Sequence, residues 1–76
     1  MAFRWRRPGA CEGSLSAFAT KNEAVRNAVW NAMVANKRAN AHAQATKRFE
    51  RMDQTEIDLI WKSLTSAGWT VEAARP

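Results

Sequence analysis

Several ingredients are scarce in this 76-residue chain, and each scarcity closes off a class of function. Cysteine occurs once, at Cys11. No disulfide can therefore staple the monomer, and a reducing setting such as the cytoplasm, the host cytoplasm or a virion interior is expected. His42 is the one histidine. Neither residue has a second ligand at the spacing that zinc or iron sites require, so no metal or cofactor is expected. The three glycines and two prolines are too dispersed for a phosphate-cradling loop or a nucleophile elbow. An enzyme of this length would have to build its site across an oligomer interface, and the expectation is that the protein has no catalytic residues.

Long apolar runs are missing too. None approaches the ~18 residues of a membrane span. The opening residues 1–8 carry three arginines but no hydrophobic region behind them, which is not the pattern of a secretory signal. Acidic side chains are also few, seven against twelve lysines and arginines, leaving a net charge of +5. Large apolar residues are sparse enough that one core is only marginally sufficient at this size. A chain so balanced gains from a partner.

What is present is concentrated in residues 21–51. This stretch is rich in alanine, has no proline or glycine, and carries seven cations against two glutamates. Residues 1–11 add a charge of +3, whereas residues 52–76 carry −2. The basic character therefore lies in the first two thirds, and such asymmetry suits a polyanion or an acidic protein surface.

Propensity and periodicity predict an all-α fold. A long basic helix over 21–51 carries a shorter amphipathic helix packed back on it, behind an extended N-terminal arm. Residues 1–13, broken by Pro8, Gly9 and Gly13, read as the arm. Residues 14–71 read as a single helical domain and residues 72–76 as a tail. Within the domain, Ser14 would cap one helical turn that points Leu15 and Phe18 inward. Thr20 and Glu23 form a capping box, so the long helix should start at Lys21. Asp53 and Glu56 repeat that signature, with Met52 and Ile57 as a hydrophobic staple, so the last helix starts near Gln54. Gly68 is placed for a left-handed helix end. A weak point lies at residues 36–40, where Asn36 and Asn40 bracket a segment with no large apolar residue. The flanking alanines favour a continuous helix; a break would instead give a three-helix bundle.

Two apolar stripes run along the first half of the long helix, one through Val25 and Val29, the other through Trp30 and Val34. Between them lies a cationic ridge of Arg26, Lys37, Gln44, Arg48 and Arg51. Arg26, Lys37 and Arg48 recur every eleven residues, which on a straight helix is three turns with little angular drift. In the arm, Phe3 and Trp5 alternate with Arg4, Arg6 and Arg7, a mixture able to stack on bases and pair with phosphates.

Two function classes follow. In one, the protein docks on a larger protein or assembly with an acidic surface. An adaptor, a small subunit or a phage-type inhibitor would use Trp5 and Trp30 as apolar anchors and the ridge for charge. In the other, it binds DNA or RNA directly, with Arg4, Arg6, Arg7 and the Arg26, Lys37, Arg48 and Arg51 ridge on phosphates. Apolar surface on two sides of one helix favours the first class. Self-association would be a third use of the second stripe.

Overall fold

The computed structural model describes residues 2–9 and 17–74 of the chain. Among these, strand β1 (Ala2–Arg6) is followed by helices α1 (Lys21–Val34), α2 (Ala39–Arg51) and α3 (Gln54–Ser66), then by strand β2 (Thr70–Ala74). The all-α expectation is therefore wrong, and so is that of one long helix with a shorter one folded against it. The fold is mixed, with three helices and a two-stranded antiparallel sheet.

The sheet joins the two ends of the sequence. Ala2 pairs with Ala74, Trp5 with Val71, and Arg6 with Thr70. What reads as a basic arm is thus a strand, and β2 runs on into the segment read as a tail. Alternation of Phe3 and Trp5 with Arg4 and Arg6 is a period-two pattern: Trp5 is buried, while Arg4 and Arg6 are exposed. Phe3 also exchanges two backbone hydrogen bonds of 2.8 Å with Phe18. Phe18 therefore sits in a β-bridge and not in a helical turn. The remainder of that expected turn, Ser14 and Leu15, lies outside the described residues, as does Cys11.

α1 is the hub, packing against each of the other four elements. Its start is set by Thr20, whose hydroxyl accepts from the Glu23 amide at 3.1 Å. α3 starts the same way, with the Asp53 carboxylate accepting from the Glu56 amide at 2.9 Å. It ends on a Schellman motif. Trp69 N–H reaches the Leu64 carbonyl and Gly68 N–H that of Thr65, both at 3.0 Å, with Gly68 at φ 110°.

The stretch expected to run on as one helix ends at Val34. Asn36 takes φ 63° and Ala39 φ 52°, and α2 then runs back along α1. Helix propensity favours continuity by only tenths of a kcal/mol per residue. Folding back covers apolar surface on α1, which is worth more. The core sits where α1, α3 and the loop before α3 meet, in Val25, Val29, Met52 and Ile57, with Val29 and Ile57 fully buried. Ala24 and Ala28 are also fully buried.

Candidate functional site

The expected site residues fall into three separate places. Trp5 is 4% exposed and belongs to the protein's own core. Its indole stacks on Trp69 with centroids 5.4 Å apart, and its Nε1 donates to Asn27 Oδ1 on α1 at 2.9 Å. Arg7 lies over both rings, at 5.7 Å from Trp5 and 5.9 Å from Trp69, and donates to Asn31 Oδ1 at 3.1 Å. Arg6 pairs with Glu72 on β2 at 3.0 Å, and Arg4 stands opposite that glutamate in the register. The aromatic and guanidinium groups of the former arm are thus largely engaged within the sheet and against α1.

A second group lies on the open side of the α1–α2 pair. Trp30 is half-buried; its Nε1 donates to Thr46 Oγ1 at 3.1 Å and its ring meets His42 edge-on at 5.8 Å. Arg26 lies over the Phe49 ring at 5.4 Å. Phe18, Trp30 and Phe49 line a recess of about 510 Å³ whose rim carries Glu23, Arg26 and Glu50. α2 is therefore what covers much of the second apolar stripe. The rim is acidic on balance.

The third group is the cationic face of α2. Lys37 and Arg48 line a recess of about 470 Å³ between α2, the end of α1 and α3, over Met33, Ala45 and Ile60. Gln44 and Arg48 also line a neighbouring hollow, which continues through Lys47 and Arg51 to Glu56 and Met52. Lys37, Arg38, Lys47, Arg48 and Arg51 are all exposed, and none makes an ion pair among the described residues. Arg48 and Arg51 fall in the last turn of α2, where a cation also complements the helix dipole. The ridge expected on one straight helix is consequently split. Arg26 faces the aromatic recess, whereas Lys37, Arg48 and Arg51 gather on the other side with Lys47.

Lys47 belongs to this face although the expected ridge did not include it, and Met33 and Ile60 supply its floor. The turn between α1 and α2 keeps Lys37 in line with Arg48 and parts both from Arg26, while folding Met33 of α1 against them. No helix among the described residues is long and apolar enough to cross a membrane. Comparison with protein-family models, with curated proteins and with solved structures returned no match. A functional reading accordingly stands on the chemistry of these surfaces.

Proposed function

We propose that the protein is a non-enzymatic polyanion-binding module whose ligand is nucleic acid, held by the cationic face of α2. The supporting observation is the run of exposed cations from Lys37 through Arg48 to Arg51, unpaired among the described residues and continuous through two adjoining recesses. Several cations on one face attract phosphate oxygens and release condensed counterions when they bind. The sheet contributes less than its composition suggests, because Trp5, Arg6 and Arg7 already have partners within the chain. The test is affinity for a DNA or RNA oligomer as a function of salt. Log affinity should fall linearly with log salt, with a slope of several phosphates' worth of released ions. Salt-independent binding, or none at low ionic strength, overturns the reading.

A second reading is docking on a larger protein, and the observation that favours it is the aromatic recess of Phe18, Trp30 and Phe49. Its case rests on that recess alone, since α2 already covers much of the stripe that first suggested it. An acidic partner would suit the α2 face better than the recess, whose rim holds Glu23 and Glu50 against one arginine. Trp30→Phe keeps most of the packing and removes the indole N–H. If this change and Phe18→Ala both leave partner capture intact, the docking reading fails. A single monomer mass in solution would remove self-association as a use for this surface.

A further inference from the structure

Resting on the nucleic-acid reading, we infer that the recess between α2, the end of α1 and α3 holds an unstacked nucleobase, so that the protein prefers single strands to duplex. A phosphate-binding face for duplex needs only cations spread over a convex or flat surface. This face has a hollow of about 470 Å³ set among them, within the size range of small-ligand sites. Its floor is apolar: Ala45 is buried, and Met33 and Ile60 are half-buried. Its rim is polar and exposed, formed by Lys37, Gln44 and Arg48.

That division matches the division within a nucleotide. A base carries a flat face suited to an apolar floor and an edge of donors and acceptors suited to the Gln44 amide, which both donates and accepts. Its two flanking phosphates are anionic and suit Lys37 and Arg48. Beyond Arg48, the line of Lys47 and Arg51 continues past the recess and offers a path for the next phosphates. Bases within an intact duplex are stacked and paired, and cannot reach Ile60 without being extruded at a cost. Single strands pay no pairing or extrusion cost, so a cationic face with a seat for one base favours them over duplex.

The experiment compares three ligands of equal phosphate count on the full chain by fluorescence anisotropy. They are a single-stranded thymidine oligomer of about ten nucleotides, an abasic oligomer of the same length, and a duplex of matched charge. The thymidine oligomer should bind several-fold more tightly than the abasic one, because the apolar floor of Met33, Ala45 and Ile60 takes base surface out of water. Ala41→Leu, at an exposed position lining the recess, fills the space without altering charge or adding a ring on which a base could stack. It should bring the thymidine oligomer down to the abasic level, and leave abasic affinity and the salt slope as they were. Equal affinity for the thymidine and abasic oligomers overturns the inference while leaving phosphate binding intact. Failure of all three ligands to bind with salt-dependent affinity overturns the parent reading as well. The ligand comparison needs no variant, and helicity by circular dichroism confirms that Ala41→Leu is folded.

Discussion

Trp5 and Asn27 lie twenty-two residues apart and meet through a 2.9 Å hydrogen bond from the indole Nε1 to the amide oxygen. The bond ties β1 to the middle of α1, and it locks in place the ring on which Trp69 stacks. Asn27→Ala should lower stability by about 1 kcal/mol, the usual net worth of a hydrogen bond of this kind. The urea midpoint should fall at unchanged m. An unmoved midpoint would mean that this hydrogen bond adds no net stability.

Gly68 makes a second prediction. A Cβ added there would lie 2.8 Å from the Cβ of Pro8, at a backbone φ of 110° that side-chain-bearing residues rarely adopt. Gly68→Ala should cost on the order of 1–3 kcal/mol, from strain together with the clash. Pro8→Gly in the same chain removes the clashing carbon but not the strain. The double variant should therefore recover only part of the loss, as judged by thermal melting.

Ala39 opens α2 at φ 52°, a conformation that costs an L-residue roughly 1–2 kcal/mol. Ala39→Gly removes the Cβ responsible and should raise the melting temperature, despite glycine's greater freedom when unfolded. A drop in melting temperature on this change would show that the turn before α2 carries no strain to relieve.

Cations on different faces should behave differently. Arg48→Ala and Arg51→Ala should each lower the slope of log affinity against log salt by about one. Arg6→Ala should leave the slope alone, because Arg6 sits on the sheet against Glu72. Arg26→Ala should have a smaller effect than Arg48→Ala, since Arg26 lies over Phe49 on the aromatic side. Equal slopes for Arg6→Ala and Arg48→Ala would remove the α2 face as the phosphate-binding surface.

Local rules made the helix ends legible. Thr20 with Glu23, Asp53 with Glu56, and Gly68 each specify a terminus through a few neighbouring atoms, and each acts in the structure as its chemistry requires. The sheet was harder to see, although its signal was present in the alternation of Phe3, Arg4, Trp5 and Arg6. A five-residue strand has little meaning until its partner is known, and that partner lies nearly seventy residues away in the register. The weak point at residues 36–40 is visible in the sequence, but the choice between a continuous helix and a break is not, for a related reason. Alanine-rich sequence tolerates either outcome locally, and the decision rests on surface that Ala45, Thr46 and Phe49 cover only once the chain has turned. An error in that one turn propagates to the binding face, because a straight helix puts Arg26 and Arg48 on one face, and the turn leaves them lining different recesses.

The pairing of residues 2–6 with residues 70–74 also sets an order of events during synthesis. β1 leaves the ribosome before all three helices, and its ladder partner follows only after them. Until then the Trp5 ring waits without Trp69 beside it, and the ladder can close only after α3 has been made.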